Sequence, residues 1–123
     1  MAAKWTDDEL NRIGNASELR IAGRREDGTL RKLVTIWQVR VGNEIFVRSV
    51  NGMDASWFRG TQVRGQGRIE SGGVTKDVEF VRDDSHDDEI DAAYSSKYGR
   101  GSEGVRRITR SIAVDTTLRL EPR

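Results

Sequence analysis

The residues able to bind a charged ligand or do chemistry fall into three stretches of this sequence. Arg24, Arg25, Arg31 and Lys32 flank the turn Glu26-Asp27-Gly28. A guanidinium binds phosphate bidentately and a lysine binds it as a point charge, so this turn is a candidate phosphate site. The competing reading is a solvated loop in which Glu26 and Asp27 neutralise the cations. The second stretch, residues 35–60, holds Trp37, Arg48, Ser49, Trp57 and Arg59. Aromatic rings beside cations suit a planar, anionic ligand. The third, residues 83–91, reads DDSHDDEID and contains the sole histidine, His86, among six acids. Carboxylates at this density can hold a hard cation, but the spacing is not that of an EF-hand loop. Acids at the start of a helix also stabilise its positive end, and that suffices to explain the run. We therefore expect no metal there.

Several chemistries are excluded. There is no cysteine, hence no thiolate nucleophile, disulfide or zinc–sulfur site. No serine has a plausible His–acid relay. Arginine cannot transfer protons at neutral pH. If the protein is an enzyme, a bound cofactor carries the reaction and the chain orients it.

These residues need elements to hold them. Gly42-Asn43 between two β-rich runs is a two-residue hairpin signal. With those two as the loop, Val41 faces Glu44, Val39 faces Phe46, Trp37 faces Arg48 and Thr35 faces Val50. Val34, Ile36, Ile45 and Val47 occupy the other face. Both faces are apolar, which suggests a barrel or packed sheet. Trp37 opposite Arg48 reads either as a cross-strand packing pair or as an aromatic floor beside a cation. A second hairpin turns at Gly72-Gly73, placing Ile69, Val74, Val78 and Phe80 on one face and Arg68 opposite Asp77.

The remaining elements follow from local signals. Thr6 with Glu9 three residues on is a capping box, and Trp5 with Leu10 forms a hydrophobic staple, so a helix starts there and stops at Gly14. Residues 19–23 read as a first strand, 30–41 as a long second strand and 44–50 as a third. Asn51-Gly52-Met53-Asp54 breaks the chain, and residues 55–62 form a helical turn that Asp54 caps. Ile90, Ala93, Tyr94 and Tyr98 share a helix face, closed by Gly99. Residues 105–114 fit either helix or strand, and 116–120 form a last strand ended by Pro122. Antiparallel hairpins dominate, so a small antiparallel barrel with inserted helices fits best.

A chain of 123 residues makes one domain, 1–123, with residues 1–15 as a leading helix packed on the barrel. A net charge of +1 argues against a nucleic-acid binder. No apolar run approaches the roughly 20 residues that span a membrane. The start, MAAKWTDDEL, lacks a signal-peptide core, so a cytoplasmic protein is expected.

The segments IWQVRVGNEIFVRSVNG, SWFRG, GRIESGG, DEIDAAYSSKYG and TTLRLEPR, in that order, resemble the split β-barrel flavoproteins. Within them the chain is similar to the deazaflavin-dependent nitroreductase-like group, and more closely to a bacterial family of unassigned function in the same superfamily. The resemblance runs from about Leu19 to the end. It implies a mainly β fold with α, a six-stranded antiparallel split β-barrel with an N-terminal helix, a short middle helix and a helix near the C-terminus. It implies a cofactor groove: phosphate on Arg24, Arg31 and Lys32, the ring near Trp37, Arg48 and Trp57, and Ser49 and Arg59 on the walls. FMN or a deazaflavin would be the cofactor and a homodimer the assembly. Gly23, Arg24, Gly28 and Arg31 match the group's phosphate turn, with an extra residue and no matching Ser. Arg59-Gly60 stands where the group has an Asn after its Trp helix. These departures favour the competing class, a cofactor-free split barrel acting as a binding or interaction module.

Overall fold

The computed structural model describes residues 4–123. The first helix, α1 (Asp7–Asn15), is set by the capping box: Thr6 Oγ1 accepts from the Glu9 amide at 3.1 Å, and Glu9 Oε1 accepts from the Thr6 amide at 2.9 Å. Its buried residues, Leu10 and Ile13, join the core together with Trp5. Trp5 Nε1 donates to the Leu120 carbonyl at 2.9 Å, so a buried indole nitrogen is satisfied and the helix entry is pinned to the last strand.

Seven strands follow: β1 (Leu19–Gly23), β2 (Val34–Ile36), β3 (Gln38–Val41), β4 (Glu44–Val47), β5 (Gln66–Ser71), β6 (Val74–Arg82) and β7 (Leu118–Pro122). They form one antiparallel sheet in the order β2-β1-β5-β6-β7-β4-β3. The two outermost strands, β2 and β3, are consecutive in the chain and joined through Trp37. The sheet therefore curls back on itself and stays open along one seam. This is the expected split barrel, with one strand more than the sequence suggests. The long second strand divides at Trp37 because its halves have different partners: Thr35 pairs with Arg20 of β1, while Val39 pairs with Phe46 of β4. The hairpin register is the expected one from Val41↔Glu44 to Gln38↔Val47. There the ladder stops, and Trp37 and Arg48 turn away to separate tasks.

The second hairpin also has its expected register, with Arg68 opposite Asp77 and a loop whose Gly72 and Gly73 both take positive φ, +57° and +82°. Such a turn is open to glycine and strained for most other residues.

The apolar residues form two cores. Ile21, Ile45, Val47, Ile69, Val78, Leu118 and Leu120 fill the barrel, with Leu10 and Ile13 of α1. Val39, Phe46, Ile90, Tyr94 and Ile108 form a second core outside it. The β3–β4 hairpin thus buries both its faces within one chain. The outer cover comes from α3 (Asp87–Tyr98), capped by Gly99, and from α4 (Glu103–Ile108). The stretch that fitted either helix or strand becomes α4 and α5 (Ser111–Val114). The middle helix, α2 (Ser56–Arg64), is not capped by Asp54, which lies in a preceding 3-10 turn (Gly52–Asp54). Among the described residues no helix is long and apolar enough to cross a membrane.

Candidate functional site

Arg48 is the largest fully buried side chain, and its guanidinium is spoken for. Nη1 donates to Asp91 Oδ1 at 2.5 Å, Nε donates to Thr117 Oγ1 at 2.9 Å, and Nη2 lies 3.7 Å from Asp87 Oδ1. The charge also sits 5.8 Å from the Tyr94 ring centroid. Burial raises the Asp87 carboxyl above its usual range, and the Arg48 charge only partly offsets this. Two acids of the 83–91 run are therefore counter-ions to a buried cation, which the helix-start reading did not foresee.

Next to Arg48, at the seam, lies a cavity of about 390 Å³, within the range of small-molecule clefts. Its walls come from β2 (Val34, Thr35, Ile36), from the arm after β4 (Ser49, Val50, Asn51, Ala55), from Trp37 and Trp57, and from α4. Helix α4 supplies Gly104, Arg107 and Ile108, an i, i+3, i+4 set on one face. Ser49 is 1% exposed, and its backbone amide donates to Thr116 Oγ1 at 2.8 Å. Its Oγ, however, has no hydrogen-bond partner. A buried hydroxyl without a partner costs about 1–3 kcal/mol, and this one belongs to a residue of the cavity wall.

Trp37 is held rather than free. Tyr98 stacks on it with ring centroids 3.9 Å apart and planes 5° from parallel. A Cβ added at Gly104 would fall 2.6 Å from Trp37 Cη2, so this glycine is what lets α4 approach the indole. Neither of the two readings of a Trp37–Arg48 pair describes the result: the indole pairs with Tyr98 and the cation with carboxylates.

Of the residues read from sequence, Trp37, Arg48, Ser49 and Trp57 meet at this cavity. Arg24, Arg31, Lys32 and Arg59 are not part of its lining. Arg24 folds onto its own turn, donating to the Gly28 carbonyl at 2.9 Å and approaching Asp77 at 3.4 Å. Arg31 borders a separate hollow with Arg25, Glu26, Asp27 and Val63. Its side chain crosses Gly60, where an added Cβ would lie 2.7 Å from Arg31 Cδ. Gly23 is tighter still, since a Cβ there would meet the Gly60 carbonyl oxygen at 2.3 Å. The glycines of the Gly23-Arg24 and Arg59-Gly60 pairs thus let α2 lie directly on β1. Lys32 and Arg59 are exposed.

The sequence reading missed Arg107 because nothing fixed the form of residues 105–114, it took Asn51 only for a strand break, and it gave Gly104 no role. It also missed Gln38, fully buried, whose Nε2 lies 2.8 Å from the Ile13 carbonyl and 3.1 Å from that of Ala16. Alternation along β3 could have flagged this polar residue on the barrel face. Elsewhere, Glu44, Asp83 and His86 bring potential metal-ligand atoms within 4.8 Å of one another. Arg119 already supplies positive charge there, with Nη1 2.6 Å from Asp83 and Nε 3.6 Å from Glu44.

Similar folds occur in split-barrel proteins. HutZ, the heme storage protein from Vibrio cholerae, superposes with a TM-score of 0.65 at 15% identity, covering 98% of this chain and 92% of that one. An F420 reductase matches with a TM-score of 0.57 at 12% identity over 97% of this chain and 94% of that one. A FAD-binding protein from Mesorhizobium loti matches with a TM-score of 0.52 at 12% identity, over 99% and 91%. At these identities the likeness establishes the fold alone. By sequence the chain belongs to the family described as "Uncharacterized protein conserved in bacteria (DUF2255)", whose model matches residues 9–120. No curated protein matches it.

On α3, Lys97 gives the fold a titratable group in the alkaline range. It is half-buried, donates to the Gln38 carbonyl at 2.9 Å, and burial lowers its pKa to about 8. The unfolded chain therefore holds this proton to higher pH than the folded one, and stability should rise from about pH 8 towards pH 10. Tyr94, raised by burial, and Tyr98, raised to about 12 by burial, begin to oppose the trend from about pH 9 and outweigh the accumulated gain only well above pH 10. Urea unfolding at pH 8, 9 and 10 should show this rise in the wild type and lose it in Lys97→Met. Identical slopes in both proteins would contradict the assignment.

Proposed function

We propose that the seam cavity binds the ring of a flavin-type cofactor, FMN or a deazaflavin, and that the protein is an oxidoreductase built around it. The observation that carries this reading is the buried, unpartnered Ser49 Oγ, in the wall of a cavity lined mainly by apolar and aromatic residues, with Thr35, Arg48, Asn51 and Arg107 as its polar members. A heterocyclic ring edged with carbonyl and N–H groups satisfies both features at once. Trp57, Ile36 and Ile108 would flank the ring, Ser49 would bond its edge, and Trp37 would be held in place by Tyr98. Haem suits the cavity less well, since its lining includes no His, Cys, Met or Tyr to ligate iron. When bound, a flavin supplies hydride or electron transfer. The chain's part is to bind and orient the ring and to exclude water from one face.

A specific observation also supports the second reading, a cofactor-free binding module. The turn that resembles a phosphate site satisfies itself: Arg24 bonds Gly28 and Asp77, and Arg25 donates to the Leu30 carbonyl at 3.0 Å. Titration of the protein with FMN and with a deazaflavin, followed by ligand fluorescence, separates the two. The flavin reading expects saturable binding that Ser49→Ala weakens about tenfold, or 1.4 kcal/mol. It also expects Ser49→Ala to melt no lower than the wild type, because the mutation removes an unsatisfied buried hydroxyl. No saturable binding of either ligand would overturn it.

The homodimer implied by the resemblance belongs to the same proposal. Both faces of the β3–β4 hairpin are covered within the chain, so support for a dimer comes from other exposed apolar residues. Val34 is 37% exposed on the outer strand, and Met53 and Ile112 are 49% and 47% exposed. A two-fold contact would bury such a patch from both copies. Light scattering at micromolar concentration should give twice the 13.9 kDa chain mass. The single-chain mass would refute the dimer and leave the cavity to one subunit.

A further inference from the structure

The cavity floor and its mouth differ in charge. On the floor Arg48 is neutralised by Asp91 and Asp87. At the mouth, Arg107 lines the cavity and Arg110 follows one turn later. Arg107 Nη2 lies 3.4 Å from Asn51 Oδ1, and Arg110 Nη2 donates to the Val50 carbonyl at 3.0 Å. Both acceptors belong to the arm that forms the cavity rim, and both are neutral. Among the described residues neither arginine has a carboxylate partner, as is also true of Arg31, Arg82 and several other arginines, but of these only Arg107 lines the cavity. Arg107 thus stands in the cavity wall and Arg110 is tied to the same arm, each held by a neutral acceptor.

We infer that the cavity takes an aromatic anion lengthwise, ring inward at Ser49 and anionic end on Arg107 with Arg110 beside it. This rests on the reading of the cavity as a ring site. It moves the phosphate of an FMN-like ligand away from Arg24, Arg31 and Lys32 and onto α4. Three observations converge on it: the orphan hydroxyl inside, the apolar walls between, and the unpaired guanidiniums outside. A bidentate arginine pairs with a phosphate or sulfonate in the plane it already presents. Arg107 is exposed, so replacing it leaves the two cores untouched.

The test compares ligands with and without the anionic end. FMN should bind at least tenfold more tightly than riboflavin, and the preference should fall with added salt. Arg107→Ala should abolish the preference without changing riboflavin affinity, while Arg31→Ala should leave both unchanged. Equal binding of FMN and riboflavin, or a preference lost in Arg31→Ala and kept in Arg107→Ala, overturns the inference and leaves the ring site standing. 2-Naphthalenesulfonate and 2-naphthol, followed by amide NMR shifts at Ser49 and Gly104, make the inference independent of flavin. If neither flavin binds but the sulfonate does, and Arg107→Ala abolishes it, the flavin reading fails and the anion site holds. If no ligand shifts those amides, both fail.

Discussion

A guanidinium taken fully out of water loses several kcal/mol of hydration, and only well-placed partners return it. Arg48 obtains them from different parts of the chain at once: Asp91 and Asp87 in α3, the Ile108 carbonyl in α4, and Thr117 before β7. The helices outside the barrel therefore have little choice of position. Breaking such a pair by removing one partner commonly costs about 3–5 kcal/mol, because a buried charge is left alone. The same interaction ends β4. Its last ladder pair is Val47 with Gln38, and the next residue leaves the sheet to reach the acids.

The cavity is a consequence of that departure. Once the chain leaves β4, residues 49–55 run as an arm past the seam, and α2 brings Trp57 to the far wall. On the near side Trp37 marks the division of one long strand into two, and Tyr98 and Gly104 hold it between α3 and α4. The cavity is thus walled by α2, α4, the outermost strand β2 and the arm after β4, and it lies where the barrel fails to close. A buried hydroxyl left without a partner is tolerated there, as it would not be in the barrel interior.

Much of this was legible in the residues. The capping box, both hairpin loops, the register of each hairpin and the helix ending at Gly99 rest on local chemistry, and local chemistry decided them. What escaped has a common cause: it depends on long-range pairing. Nothing local in residues 30–41 says that Thr35 will pair with Arg20 while Val39 pairs with Phe46. The carboxylate partners of Arg48 were not legible because they lie 39 and 43 positions away, in an acidic run that its own helix already explained. At the Arg24–Arg31 turn motif spacing records the residue types but not their hydrogen bonds, so the contacts of Arg24 with Gly28 and Asp77 were not legible. Arg107 was invisible for the opposite reason, since residues 105–114 carried no clear helical or extended pattern.

The central claim is that Ser49 and Trp57 define a ring-binding cavity at the barrel seam. A crystal structure of the protein grown with FMN tests it most directly. The account predicts ring density between Trp57 and Ile36, with a ring oxygen or nitrogen within about 3 Å of Ser49 Oγ. A ring bound elsewhere, or a Ser49 hydroxyl bonded to the protein's own backbone with the cavity filled by side chains, would contradict it.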